Sequence, residues 1–385
     1  MGHRLERNTI AIIQFYRASY GVDSGGGQSE GSRLMNPTGY ESSKPAAGVS
    51  LAPGPLFVVA MWRSGSSLLY ALLNKHPQVA LTFEDDLWVL RSVFLKPARY
   101  CDWAARWELW NKAFTRHGII ANDLPRGVAD YATAFTAVHK AFAARKGAVI
   151  WGDKSPIYYD SLPALARLFP QARFIIQWRD PVATANAIAR AAQTGFQRPG
   201  AYVRGLIGYQ VLKRGVDWLL SRGLPVCQVT YEELTSDTAK VMQTVCRFLE
   251  IPYRDELANL RDADRSAIFQ GAHFSLIRGD EIVGKPRTLV LDQGARQKID
   301  GYVKLWKRRY HDEWPPSVLT DADQVALPGL LERVGDQVAY RAQRAFEQSR
   351  YVCFAYAPSA LIQSYRRRRR GVRVPADKQT GDAQG

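Results

Sequence analysis

An α/β fold, with a parallel sheet covered by helices on both faces, is what this 385-residue sequence predicts. Three observations lead there. Short apolar runs of strand length, at 56–61, 173–178 and 225–230, alternate with longer stretches of helical pattern. The first run ends in a small basic turn, Arg63-Ser64-Gly65-Ser66-Ser67, and an apolar stretch follows at once. Charged or aromatic residues then follow strand after strand, at the end of a parallel sheet where ligands bind.

Taken in order, residues 1–20 read as a short amphipathic helix, and 22–54, rich in Gly, Ser and Pro, as a flexible leader. A strand at 56–61 is followed by a helix at 66–75 and a short strand at 79–82. Residues 86–146 are dense in Ala, Trp, Phe and Arg without alternation, and predict helices, one of them at 130–145. A strand at 148–151 leads into Gly152-Asp153-Lys154. A helix at 160–169, a strand at 173–178, helices at 181–192 and 200–222, a strand at 225–230 and a helix at 238–249 complete the alternation. The domain organisation expected is a leader over 1–54, one folded domain over 55–350, and a tail over 351–385 that is first apolar and then polybasic.

Composition narrows the class. With 46% hydrophobic and 11% aromatic residues the chain is too apolar to be disordered. No apolar run reaches the length of a membrane span, and the first residues lack the pattern of a secretory signal. Cys101, Cys227, Cys246 and Cys353 are widely spread, and the histidines are scattered, so neither disulfides nor a metal site is expected. That pattern favours a cytoplasmic protein. The net charge of +16 gathers anions, and part of it is the unbroken run Arg366–Arg370. This run is either a solvated tail or a peripheral contact with anionic lipid at the inner face of the membrane.

The turn after the first strand carries the chemistry. A helix starting there points free N–H groups and the positive end of its dipole at whatever lies above the loop. Gly65 allows close approach of the backbone to an anion. Ser64, Ser66 and Ser67 add hydroxyl donors, and Arg63 adds a fixed charge. One glycine and no Gly-Lys-Ser/Thr make this a P-loop-like turn rather than a nucleoside-triphosphate loop.

These residues resemble the sulfotransferases that use 3′-phosphoadenosine 5′-phosphosulfate (PAPS), whose loop reads Pro-Arg/Lys-Ser-Gly-Thr/Ser-Thr/Ser. Trp62 stands in place of the usual Pro. A second block, Arg173-Phe-Ile-Ile-Gln-Trp-Arg179-Asp180-Pro181, resembles the family's strand-end Arg before a helix. There Ala187 occupies the position of the family Ser, with Asn186 or Thr184 as a substitute. The landmarks Arg-Ser-Gly, Leu-Leu and His-Pro resemble the tyrosylprotein enzymes. The resemblance implies that Arg63 to Ser67 hold the 5′-phosphosulfate and Arg179 the 3′-phosphate. It implies that Tyr231 lies beside the cofactor and that Lys285 is a further contact to the 3′-phosphate. Glu84, 21 residues after Arg63, has the spacing of the family's base, with Asp85 and Asp86 as rivals. Lys154 has the spacing of the lysine that stabilises the leaving group. The implied donor is PAPS without a metal. The implied acceptor is a hydroxyl of a glycan, glycolipid, phenol or tyrosine peptide, received by helical insertions at 86–146 and 190–225.

Two other classes fit parts of the chain. A nucleotide kinase-like phosphotransferase would share the sheet. A basic binding module for nucleic acid or membrane would rest on the Arg run alone.

Overall fold

The computed structural model describes residues 52–85, 87–88, 117–119, 128, 130–193, 201–268, 280–282, 290–310 and 326–356. Residues 1–51 of the leader, Asp86, most of 89–129 within the 86–146 insertion, Lys285 and Arg366–Arg370 lie outside the described residues.

Five parallel strands form one sheet in the order β2-β3-β1-β4-β5. They are β1 (Leu56–Ala60), β2 (Val79–Phe83), β3 (Ile150–Lys154), β4 (Arg173–Trp178) and β5 (Val226–Thr230). Between them run α1 (Ser66–Leu73), α2 (Tyr131–Arg145), α3 (Leu162–Leu168), α4 (Pro181–Gln193) and α5 (Ala201–Leu220). After β5 come α6 (Tyr231–Ser236), α7 (Thr238–Leu249), α8 (Gln293–Arg309) and α9 (Leu330–Tyr356). The expected α/β alternation is therefore present. The β3 strand begins later than its apolar residues suggest and takes in Gly152-Asp153-Lys154. The short α6, α8 and α9 had no counterpart in the sequence reading, and α9 runs on across residue 350, where the tail was placed.

Strand side chains alternate between two cores, as the pleat requires. Phe57 and Val59 face α2, α3, α5 and α8, whereas Leu56 and Val58 face α1 and α7. Phe57 is the hub of the first core, with the rings of Phe135, Tyr158, Phe169 and Phe174 at 5.4, 5.2, 5.6 and 5.7 Å. Full burial of one such side chain contributes about 1.5–3 kcal/mol. Because both faces are covered, all five residues of β1, β2 and β3 are buried. The connections from neighbouring β1 and β4 leave toward opposite edges and opposite faces. The carboxyl ends of these two strands therefore flank the crevice in which such sheets bind ligands.

Candidate functional site

Each strand delivers one side chain to the carboxyl edge of the sheet. In spatial order they are Glu84 after β2, Lys154 at the end of β3, Arg63 after β1, Arg179 after β4, and Tyr231 after β5. The sequence-derived set is thus brought to one edge.

The loop from β1 to α1 is built for close approach. Arg63 and Gly65 take left-handed backbone conformations, φ 69° and 86°. A side chain at Gly65 would meet the Tyr231 ring at 2.3 Å, so glycine is required by both space and φ. Helix α1 starts at Ser66 with no side-chain cap and no acid in its first turn, so no carboxylate of its own offsets its dipole end. Ser64 is fully buried, and its Oγ has no hydrogen-bond partner. The carbonyls are fixed from β4: Gln177 Nε2 donates to Ser64 O at 2.8 Å, and Arg179 Nη1 donates to Arg63 O at 2.8 Å. Gln177 escaped the sequence reading. A polar residue inside the run Phe174-Ile-Ile-Gln-Trp178 was the signal available.

Arg179 is buried, with its guanidinium 4.4 Å from the centre of the Tyr231 ring and its Nε without a hydrogen-bond partner. Tyr231 opens α6 behind a capping box formed by Thr230 and Glu233. Burial, reinforced by the charge of Arg179, lowers Arg63 to about 10; burial also lowers Arg179. Two desolvated guanidinium groups beside an uncapped helix start make a site that a polyanion would stabilise. On α4, Asn186 Oδ1 accepts from Val290 N at 2.7 Å, whereas Thr184 Oγ1 is buried without a partner. Of the two substitutes for the hydroxyl missing at Ala187, Thr184 is the one whose oxygen is not committed to Val290.

At the other end, Lys154 Nζ lies 2.6 Å from Glu84 Oε1 and 3.4 Å from Ser67 Oγ, over the Phe83 ring at 4.2 Å. Glu84 takes φ 51°, and its N–H donates to Lys154 O at 2.9 Å. Such backbone strain is held only where surrounding contacts over-determine it. Trp62, in the position of the family Pro, packs on Tyr159 at 5.0 Å and lies under the Arg204 guanidinium at 4.1 Å.

Beneath Glu84 and Lys154, their chain neighbours Asp85 and Asp153 enter a fully buried polar network. Asp85 Oδ2 lies 2.6 Å from His139 Nε2 and 3.0 Å from Thr82 Oγ1, and Oδ1 accepts from Leu87 N at 2.8 Å. Asp153 accepts from Thr82 Oγ1 at 2.7 Å and from the Tyr158 hydroxyl at 2.8 Å. Asp85, His139 and Asp153 are of metal-ligating types, with ligand atoms within 4.8 Å of one another. The contact between His139 and Asp85 is nevertheless a hydrogen-bond distance. Two ligands of one tetrahedral ion, each about 2 Å from it, stand farther apart. Asp85 is fully buried, with its oxygens at His139, Thr82 and Leu87, whereas Glu84 keeps 21% of its side chain exposed. Asp86 and Lys285 lie outside the described residues.

A sequence model of the sulfotransferase family matches residues 55–255, just over half of the chain. Protein-tyrosine sulfotransferase A of Caenorhabditis elegans is 26% identical over 290 residues, covering 73% of this chain and 66%, just under two thirds, of that protein. Protein-tyrosine sulfotransferase 1 of Danio rerio is 23% identical over 345 residues, covering 86% and 81% of the two chains. Among solved structures, the sulfotransferase domain from the Synechococcus PCC 7002 olefin synthase aligns with 20% identity and a TM-score of 0.46, covering 68% of this chain and 97% of that one. This protein belongs to the sulfotransferase family.

Proposed function

We propose that the protein transfers the sulfuryl group of PAPS to an acceptor hydroxyl, with Glu84 as general base and no metal. One observation carries the reading: five neighbouring strands bring Glu84, Lys154, Arg63, Arg179 and Tyr231 to one edge, with anion-binding groups at β1 and β4 and a lysine–carboxylate pair at β2 and β3. The fit to PAPS rests on this chain's own groups. Half-buried Arg63, the uncapped start of α1 and the Ser64 hydroxyl suit the 5′ end, while Arg179 and Thr184 suit the 3′-phosphate.

PAPS supplies the sulfuryl group and an anionic leaving phosphate. Glu84 takes the hydroxyl proton as the acceptor oxygen bonds to sulfur. Lys154, between Glu84 and Ser67, stabilises the charge left on the departing phosphate oxygen. Tyr231 stacks on Arg179 and keeps the guanidinium directed at the loop. The names of the curated relatives make the phenol of a tyrosine peptide the first acceptor to test, ahead of glycans, glycolipids and simple phenols.

The test is a PAPS-dependent sulfation assay over that acceptor panel, run with and without EDTA. Sulfation that persists in EDTA is the expected result. Phosphate transfer from ATP without sulfation would replace this reading with a kinase-like one.

A further inference from the structure

The last residue pair of the β4–β5 ladder is Trp178 opposite Thr230. Arg179 comes next, one step beyond the sheet, and yet it is buried. Its backbone N–H and C=O must therefore find partners outside the ladder. One side chain supplies both. The Arg179 N–H donates to the Tyr209 hydroxyl at 3.1 Å, and the same hydroxyl donates to the Arg179 carbonyl. The following N–H, of Asp180, donates to Glu232 Oε1 at 3.1 Å. The peptide after Arg179 is thus held at its oxygen from α5 and at its nitrogen from α6.

Tyr209 has little freedom of its own. It is buried, with the Trp306 ring of α8 stacked at 6.1 Å and 11° and the Trp178 ring at 5.3 Å. Burial holds the phenol well above its ordinary pKa, so the proton it donates stays on the oxygen. Small residues let α5 come this close. A methyl group at Gly208 would meet Met61 Cε at 2.6 Å, and one at Gly205 would meet Ile188 Cδ1 of α4 at 2.7 Å. Glycine in a helix interior is unfavourable relative to alanine. Here two of them stand three residues apart, on the side of α5 that meets the end of β1 and α4. The hydroxyl they bring in lies where Arg179 leaves the sheet. From that point the guanidinium reaches Arg63 O at 2.8 Å and the Tyr231 ring at 4.4 Å.

We propose that Tyr209 is a positioning residue for recognition of the 3′-phosphate, its hydroxyl fixing the backbone of Arg179 and through it the direction of the guanidinium. This role rests on the proposed contact between Arg179 and the 3′-phosphate. Helix α5 belongs to the 190–225 stretch expected to receive the acceptor, and at Tyr209 it serves the donor instead.

The readout is the ratio of affinities for adenosine 3′,5′-bisphosphate over AMP. Calorimetry on the full chain measures it in a double-mutant cycle of Tyr209→Phe and Arg179→Ala. Tyr209→Phe keeps the ring beside Trp178 and Trp306 and removes only the hydroxyl. It should lower the ratio by about 3–10-fold, through partial loss of one charge-assisted hydrogen bond. In the Arg179→Ala background the same change should lower it no further, because the hydroxyl acts through the guanidinium. A general softening of the fold would weaken both ligands alike and leave the ratio as it was. Trp306→Phe keeps the hydroxyl but thins the ring behind it; this second arm should lower the ratio by a smaller factor. A parent-like ratio in whichever of the two variants at 209 and 306 folds overturns the proposal, and so does an equal drop with and without Arg179. If Arg179→Ala itself leaves the ratio unchanged, the 3′-phosphate is not held there and the proposal falls with that contact. If Arg179→Ala lowers the ratio and Tyr209→Phe does not, only the role of Tyr209 is lost.

Discussion

The carboxylate of Glu84 stands 2.6 Å from the ammonium of Lys154, although the two side chains come from strands separated by the whole of α2 and its flanking insertion. Neighbouring β2 and β3 pair in register, Phe83 opposite Lys154, and the left-handed turn at Glu84 swings its side chain back over the lysine. Lys154 is nearly inaccessible, with 2% of its side chain exposed, while Glu84 retains 21%, so the carboxylate is the member of the pair that an acceptor can reach.

That asymmetry makes Glu84→Gln the decisive change. It keeps shape and hydrogen-bonding capacity but cannot take a proton. Turnover should fall by about 10²–10⁴. The affinity for adenosine 3′,5′-bisphosphate, measured by calorimetry, should stay within about twofold, since the carboxylate is assigned to the acceptor end. Full activity in this variant would remove Glu84 as the base while leaving the family assignment intact.

The two phosphate ends should separate by mutation. Arg63→Ala removes charge-assisted bonds at the 5′ end and should weaken the bisphosphate by about 1.5–3 kcal/mol. Arg179→Ala and, more weakly, Thr184→Ala should lower the ratio of affinities for the 3′,5′-bisphosphate over AMP. If the ratio is unchanged in both, α4 and the end of β4 do not hold the 3′-phosphate.

Gly65→Ala tests the packing of the loop against Tyr231. The added methyl would meet the ring at 2.3 Å, at a φ of 86°. Strain of about 1–3 kcal/mol is expected, together with loss of bisphosphate binding. Gly65→Ala combined with Tyr231→Ala removes the clash and should recover stability in part, by thermal melting, without restoring binding that depends on the stacked Arg179.

His139 and Asp85 form a buried pair beneath the site. Removing one partner leaves a polar group stranded, so His139→Ala should destabilise the fold by about 3–5 kcal/mol. Denaturant unfolding checks this. A smaller cost in His139→Gln, whose amide can still donate to Asp85, would show that the hydrogen bond is the main contribution.

Acid sensitivity should come partly from His117. Its Nε2 accepts the Phe83 N–H at 2.9 Å, which requires an unprotonated nitrogen, and burial lowers its pKa to about 4. The unfolded chain takes up the proton near 6.5. Between about pH 6.5 and 4 the unfolded state therefore holds more protons than the folded state, and stability rises with pH across that window. The contribution is on the order of 3 kcal/mol, present at pH 7 and lost on acidification toward pH 4. Urea midpoints over that range should fall less steeply in His117→Gln than in the parent.

The sequence by itself determined the alternation of strands and helices, and with it the edge of the sheet where chemistry belongs. Short apolar runs, a Gly-Ser turn and a strand-end Arg are local features, set by backbone propensity and burial within a few residues. Arg63, Glu84, Lys154, Arg179 and Tyr231 were legible for that reason. Their pairing was not, because Glu84 and Lys154 are 70 residues apart, and only the parallel register of β2 and β3 brings them together. Gln177 and the His139–Asp85–Thr82–Asp153 network were hidden for a related reason. A buried polar residue looks like any other until its partners from distant segments are in place. Which face α9 turns to the body, where Lys298 of α8 reaches Asp336 and Arg204 of α5 reaches Glu347, was the least accessible of all. A 3.6-residue period marks two faces of a helix but not which one meets the body, and here ion pairs from α5 and α8 made that choice.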